Sequence, residues 1–133
     1  MPVFSRKYVL LAEDSEDDYV LFKEILSKTV PGMGLARVRD GQALLDYLLE
    51  HQLPDLVVLD LNMPGMDGRA ALREIRSNPA FRTVPVVVFS VSDNDEDRLV
   101  STKAGCDAYF KKPSDYGALI QAVVKMEQQF LKR

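Results

Sequence analysis

Apolar runs alternate along the chain with longer segments in which apolar residues recur at helical spacing. The runs that predict strands are Tyr8–Ala12, 35–39, Leu56–Leu59, 84–89 and Ala108–Lys111. The first, third and fourth are apolar throughout, which is typical of strands buried on both faces. The second and fifth contain charged residues, which favours positions at the edges of a sheet.

The intervening segments are predicted to be helices that bury one side. They are Glu16–Thr29, Gly41–Glu50, Gly68–Ser77, 96–104 and 115–131. Strands and helices that alternate in this way predict an α/β fold, with a parallel sheet and helices on both faces. Right-handed crossovers and the charged second and fifth strands predict the strand order 2-1-3-4-5. This is the flavodoxin-like doubly wound (βα)5 fold.

The size and composition of the chain predict one soluble domain over residues 1–133, with no output domain after it. A length of 133 residues, of which 47% are hydrophobic, supplies one substantial core. The net charge of −3 argues against nucleic-acid binding, which favours a basic surface. A single cysteine, Cys106, suits a reducing compartment. The start has no signal-peptide pattern and no apolar run could span a bilayer, so we expect a cytoplasmic protein without membrane association.

Polar side chains follow four of the five predicted strands. These residues are Glu13, Asp14, Asp60, Ser90 and Lys112. In a doubly wound fold, ligands bind beyond this edge of the sheet, between the first and third strands. Three carboxylates gathered there repel one another, so a cation must compensate for their charge. Oxygen ligands of this kind suit Mg²⁺, and Lys112 supplies further positive charge.

Asp60 is the candidate nucleophile of this set. It closes the apolar run Leu56–Leu59, and the turn signals Pro64-Gly65 and Asp67-Gly68 follow it. Its carboxylate is therefore predicted at the exit of a rigid strand, since a buried and unpaired charge would be prohibitive. Carboxylates accept phosphoryl groups to give aspartyl phosphates. Such transfer needs positioning and positive charge more than covalent chemistry.

Taken in order, these motifs resemble the receiver domains of response regulators in two-component signalling, over essentially the whole chain. The matching segments are Glu13-Asp14, Asp60 to Gly68, Ser90 and Ala108 to Pro113. The resemblance implies that a histidine kinase or a histidine phosphotransfer protein phosphorylates Asp60 in a Mg²⁺-dependent reaction. It also implies that the phosphorylated protein signals by binding a downstream protein target. By the same resemblance, we expect a phospho-acceptor and not an enzyme that turns over a substrate.

The resemblance implies a role for each residue of the site. Asp14 would bind Mg²⁺ directly, Glu13 would act through a water molecule, and Asn62 would contribute its backbone carbonyl. Lys112 would bind the phosphoryl group on Asp60. Two departures from the commonest family pattern, Glu13 for Asp and Ser90 for Thr, leave this chemistry in place.

Two lysines precede Pro113, and only one of them can face the phosphoryl group because successive strand residues point in opposite directions. The position next to Pro113 favours Lys112 over Lys111. By resemblance we expect the Lys112–Pro113 bond to be cis, a conformation that is accessible to prolyl bonds at a cost of about 0.5–1 kcal/mol.

The resemblance also implies a conformational switch, in which Ser90 moves toward the phosphoryl group and Tyr109 follows. The predicted fourth helix has few apolar anchors, chiefly Leu99, Val100 and Ala104, which favours an element that shifts easily. The face formed by the fourth helix, fifth strand and fifth helix is the predicted contact for partners, including a possible homodimer. Segments 68–76 and 81–85 are also similar to small regulators paired with phytochrome-type kinases.

Three other functions fit the sequence less well than this one. A Mg²⁺-dependent phosphohydrolase needs a general acid or base two residues after the nucleophile, where Asn62 stands. A flavin- or nucleotide-binding protein needs a phosphate loop after the first strand, where this chain is acidic. A degenerate receiver that acts only as a binding module would have lost key positions, and none is lost here.

Several acidic residues are predicted to have structural roles alone. Acids in the first turn of a helix favour its dipole, and acids just before a helix cap it. The first group is Glu16, Asp17 and Asp18 in the first helix; the caps are Asp67 for the third helix, and Asp93 and Asp95 for the fourth.

Overall fold

The computed structural model describes residues 7–92 and 94–132. The strands are β1 (Tyr8–Ala12), β2 (Gly34–Val38), β3 (Leu56–Leu59), β4 (Val86–Ser90) and β5 (Ala108–Lys111). The helices are α1 (Glu16–Thr29), α2 (Gly41–Glu50), α3 (Gly68–Ser77), α4 (Asp95–Ala104) and α5 (Tyr116–Met126), followed by a π-helical turn at Glu127–Leu131. All neighbouring strands are parallel and their order is β2-β1-β3-β4-β5, so the predicted fold is confirmed.

Each face of the sheet is covered by its own apolar core. Successive residues of β1 point to opposite faces: Val9 and Leu11 pack with α1 and α5, whereas Leu10 and Ala12 pack with α2 and α3. Every residue of β1, β3 and β4 is buried, as their apolar runs predict. The central strands therefore form a rigid support for the side chains at their carboxyl ends.

The third helix begins tightly against the exit of β3. Asp67 is its N-cap, as predicted, and accepts a 3.0 Å hydrogen bond from the N–H of Ala70. A Cβ atom on Gly68 would lie 2.7 Å from the carbonyl oxygen of Asp60 and 2.7 Å from Cα of Leu61. Position 68 therefore requires glycine, and this close approach fixes the turn that presents Asp60.

The start of the fourth helix differs from the prediction. Asn94 is the N-cap, and its side-chain oxygen accepts a 2.7 Å hydrogen bond from the N–H of Asp97. Asp95 lies in the first turn, where it favours the helix dipole, so its predicted capping role was wrong. Asp93, the other predicted cap, lies outside the described residues.

In the part of the chain that the structure describes, no helix is both long enough and apolar enough to cross a membrane.

Candidate functional site at the carboxyl edge of the sheet

The Asp60 carboxylate lies where the chain leaves β3, and Asp60 is only 7% exposed. Its backbone N–H donates to the carbonyl of Ala12 in β1 at 3.1 Å, which extends the sheet by one residue. Its side-chain Oδ1 accepts a 3.0 Å hydrogen bond from the N–H of Asn62. The strand and the turn after it therefore hold this carboxylate in place.

Glu13, Asp14 and Asp60 form one acidic cluster, as the sequence predicted. One carboxylate oxygen from each lies within 4.8 Å of the others. Glu13 is 3% exposed, whereas Asp14 is exposed to solvent. Burial raises the pKa of the Glu13 carboxyl, and the neighbouring charge of Asp60 adds to this rise, although Lys112 opposes it. Oxygen donors that are crowded in this way fit a hard divalent cation.

Lys112 directly follows the edge strand β5, and its side chain reaches this cluster. Its Nζ donates to Glu13, to Asp18 Oδ2 at 2.9 Å and to Asp60 Oδ2 at 3.1 Å. Burial alone would lower the pKa of Lys112, but the bonds to Glu13 and Asp18 and the charge of Asp60 raise it above its ordinary value. The ammonium group therefore stays charged and offsets part of the negative charge of the cluster.

Asp18 is a further acceptor of the Lys112 ammonium, although the sequence predicted only a solvated acid in the first turn of a helix. Its position in α1 brings its carboxylate over the end of β5, where Lys112 lies. The prediction was also incomplete for Glu16, whose carboxylate pairs with Arg37 at 2.7 Å. Asp17 is exposed, as predicted. Composition alone does not reveal which acid of this turn faces the sheet.

The backbone at the end of β5 separates the two lysines. The N–H of Lys112 donates to the carbonyl of Ser90 at 2.8 Å, and Lys111 is exposed. The Lys112–Pro113 bond is trans, like every peptide bond in the described ranges, so the expected cis bond was wrong. The trans isomer is the intrinsically favoured one, and Lys112 reaches all three carboxylates from it.

Ser90 is the last residue of β4 and is completely buried. Its Oγ accepts a hydrogen bond from Asn62 Nδ2 at 3.2 Å and another from the N–H of Ser92 at 3.3 Å. The hydroxyl is thus connected both to the turn after Asp60 and to the loop that leads to α4.

Tyr109, in β5, is hydrogen-bonded to the same loop between β4 and α4. Its hydroxyl donates to the backbone carbonyl of Ser92 at 2.7 Å, and the guanidinium carbon of Arg98 lies 4.7 Å from its ring centre. Ser92 Oγ in turn donates to Asp97, which also pairs with Arg69 of α3. These bonds join α3, α4, β5 and the loop after β4 into one polar network.

A model of the response regulator receiver domain matches residues 9–124 of the chain. This match covers well over half of the sequence, so the chain belongs to the response regulator receiver domain family. Receiver domains accept a phosphoryl group on an aspartate, and they are phospho-acceptors rather than conventional enzymes. They bind divalent metal and interact with histidine kinases and downstream targets.

Individual relatives agree with this assignment over nearly their whole length. The chain is 34% identical over 132 residues to the response regulator Rcp1 of Synechocystis sp. PCC 6803, covering 95% of this chain and 90% of Rcp1. The structure of the phosphorylated cyanobacterial phytochrome response regulator RcpA superposes with a TM-score of 0.90 at 34% identity, covering 96% of each chain. The structure of the Mn²⁺-bound form of Rcp1 superposes with a TM-score of 0.85 at 34% identity, covering 92% of this chain and 93% of that one.

Proposed function

We propose that Asp60 is the residue of this receiver domain that accepts the phosphoryl group, in a Mg²⁺-dependent reaction with a histidine kinase or a histidine phosphotransfer protein. The observation that carries the proposal is the position of the Asp60 carboxylate. One of its oxygens lies 3.1 Å from the Lys112 ammonium, and the same carboxylate shares a cluster with Glu13 and Asp14. Phosphoryl transfer depends on a positioned nucleophile with positive charge beside it.

The acidic cluster has the donors that a resident Mg²⁺ requires. Asp14 and Asp60 would be its carboxylate ligands, Glu13 would act through water, and Asn62 would offer its backbone carbonyl. Exposed Asp14 leaves one side of the cluster open to solvent, which suits an ion that keeps several water molecules. When bound, the ion would neutralise charge on the phosphoryl oxygens.

The remaining steps belong to residues of the chain. Asp60 attacks phosphorus through a carboxylate oxygen, a P–O bond forms, and the bond to the donor breaks with its electron pair leaving on the donor. Lys112, already charged and held beside Asp60, stabilises the added negative charge. Ser90 then exchanges its bonds to Asn62 and Ser92 for a bond to a phosphoryl oxygen.

This chain has a groove beside Lys112 that suits docking of the phosphodonor protein. The groove has a volume of about 180 Å³, and its lining is mainly apolar but includes Glu13, Asp18 and Lys112. The apolar lining residues are Leu11, Leu21, Phe22, Phe89, Val91, Pro113 and Leu119. An apolar groove next to the nucleophile suits a helix that presents a phosphohistidine.

The similarity to RcpA, a phytochrome response regulator, supports a phytochrome-type kinase as the partner. We expect phosphoryl transfer to Asp60 to take place in the cytoplasm, since a free cysteine such as Cys106 is typical of reducing compartments.

The face formed by α4, β5 and α5 is proposed to be the surface that partners recognise after phosphorylation. Phosphorylation would displace Ser90, and Tyr109 would follow because both are bonded to Ser92. The fourth helix is weakly anchored: of its ten residues only Ser101 is buried, and Leu99 is 55% exposed. A downstream protein or a second copy of the chain would bind the altered face.

Incubation with acetyl phosphate and Mg²⁺ tests the proposal. Wild-type protein should incorporate one phosphoryl group, and the Asp60→Asn variant should incorporate none. Chelation of Mg²⁺ should abolish labelling of the wild type. Equal labelling of both proteins, or labelling that persists without a divalent cation, would contradict the proposal.

A further inference from the structure

The Lys112 ammonium is bonded to three carboxylates at once. An ammonium group has three N–H donors, and here Glu13, Asp18 and Asp60 accept one hydrogen bond each. With 11% of its side chain exposed, Lys112 has little freedom to take other orientations. The three acceptors therefore define where its charge is held.

Asp18 differs from the other two acceptors in its surroundings. Glu13 and Asp60 belong with Asp14 to the cluster of carboxylates within 4.8 Å of one another, and the clusters found among the described residues do not include Asp18. Under the proposed function, Asp60 serves both the metal and Lys112, and Glu13 serves the metal through a water molecule while it accepts from Lys112. Among the described residues, Lys112 is then the one hydrogen-bond donor to the Asp18 carboxylate.

The first turn of α1 shows how the Asp18 carboxylate becomes available. Ser15 and Asp18 have the spacing of a capping box, in which each side chain binds the backbone N–H of the other residue. Half of the box is formed: Ser15 Oγ accepts from the N–H of Asp18 at 3.2 Å. The N–H of Ser15 donates instead to Glu13 Oε2 at 3.1 Å. Glu13 thus replaces Asp18 in the box and leaves its carboxylate to Lys112.

We propose that Asp18 is a positioning residue for phosphoryl transfer, which keeps the Lys112 ammonium at the rim of the site where the phosphoryl oxygens arrive. This inference rests on the proposed function of Asp60. When Asp60 forms its bond to phosphorus, the oxygen that faces Lys112 changes its charge and geometry. The 2.9 Å bond to Asp18 persists through that change, so the ammonium does not have to be repositioned.

The kinetic test compares Asp18→Asn with Asp17→Asn. Both variants remove one negative charge from the same turn, but Asp17 is exposed and makes no side-chain hydrogen bond within the described structure. Neither change disturbs the cap, which uses the backbone N–H of Asp18. If Asp18 acted only as a nearby charge, its removal would speed the reaction with anionic acetyl phosphate. If it positions Lys112, Asp18→Asn should slow phosphorylation by about three- to tenfold.

The expected pattern is therefore a slower reaction for Asp18→Asn and an unchanged or slightly faster one for Asp17→Asn. Asp18→Glu, which keeps a carboxylate one methylene further out, should recover part of the rate. A faster or unchanged reaction of Asp18→Asn, or an equal loss in both Asn variants, would overturn the proposal.

A second measurement does not depend on phosphorylation. Limited acylation with a water-soluble succinimidyl ester, followed by peptide mass spectrometry, reports how well Lys112 is held, with exposed Lys111 as the internal reference. Acylation of Lys112 relative to Lys111 should rise severalfold in Asp18→Asn and stay unchanged in Asp17→Asn. If wild-type protein accepted no phosphoryl group, the proposed function would fail, yet this ratio would still decide whether Asp18 holds Lys112. An unchanged ratio would overturn the positioning role.

Discussion

The hydroxyl of Tyr109 donates a 2.7 Å hydrogen bond to the backbone carbonyl of Ser92. The N–H of Ser92 donates to Ser90 Oγ at 3.3 Å. One loop residue is therefore bonded both to the buried hydroxyl near Asp60 and to the aromatic side chain of an edge strand. A change at Ser90 must alter the loop on which Tyr109 depends.

Tyr109→Phe should loosen this loop. The substitution keeps the ring beside Arg98 but removes the bond to Ser92, so the free energy of unfolding should fall by about 1 kcal/mol. Amide hydrogen exchange in α4 should rise, because its first turn is tied to the same loop. Tyr116→Phe, at an exposed tyrosine in α5, is the control. Unchanged exchange in α4 would show that the Tyr109 hydroxyl does not hold the loop.

Lys112→Gln should make the stability of the fold depend more strongly on Mg²⁺. The variant loses the donor shared by three carboxylates. Without a divalent cation, its free energy of unfolding should therefore fall by roughly 2–3 kcal/mol. Saturating Mg²⁺ should recover part of the loss, since a ligand that binds only the folded state stabilises it. Thermal unfolding with EDTA and with Mg²⁺ measures both effects. Lys111→Gln, at the exposed neighbour, should change neither the stability nor its dependence on Mg²⁺. Equal losses of stability in the two variants would contradict the role of Lys112.

Gly68→Ala should destabilise the protein and impair the site together. The added Cβ would lie 2.7 Å from the backbone of both Asp60 and Leu61, so the start of α3 must move away from the exit of β3. We expect a loss of about 1–3 kcal/mol in urea denaturation, with a reduced rate of phosphorylation. Gly117→Ala is the matched control, because its Cβ would meet only the Asp115 side chain at 3.3 Å. Wild-type stability of Gly68→Ala would contradict this packing.

The stability difference between wild type and Asp97→Asn should depend on pH. Hydrogen bonds from Ser92 and Arg69 hold the pKa of Asp97 below its ordinary value in the folded state. A lowered folded pKa means that the carboxylate stabilises the fold above the unfolded value of about 3.9, and that this contribution is lost as the pH falls through the folded pKa. Urea denaturation should therefore show a clear difference at pH 7 that shrinks steadily on acidification. Asp95→Asn removes a charge from the same turn and is the control. A stability difference between wild type and Asp97→Asn that did not depend on pH would contradict the pairing of Asp97.

The fold was predictable because the chain repeats one simple pattern. Runs such as Leu56–Leu59 are apolar throughout and can only be buried on both faces, whereas Lys111 at the end of β5 marks an edge. The order 2-1-3-4-5 followed from these differences and from crossover handedness, and the structure confirms it. The gathering of the Glu13, Asp14 and Asp60 carboxylates followed in turn, since the carboxyl ends of parallel strands share one edge.

The details that escaped prediction depend on side-chain direction within one turn. Asp17 and Asp18 are equivalent in composition, and only the rotation of α1 decides that Asp18 faces Lys112. Asn94 and Asp95 are both good N-caps, and the choice between them shifts the start of α4 by one residue.

The most direct test of the central claim is to locate the modified residue. Protein treated with acetyl phosphate and Mg²⁺ is reduced with borohydride, which converts an aspartyl phosphate to homoserine, and its peptides are sequenced by mass spectrometry. We predict homoserine at position 60 and nowhere else, and none when Mg²⁺ is chelated. Homoserine at Asp14 or at another acidic residue, or a wild-type protein that yields none, would contradict the assignment of Asp60.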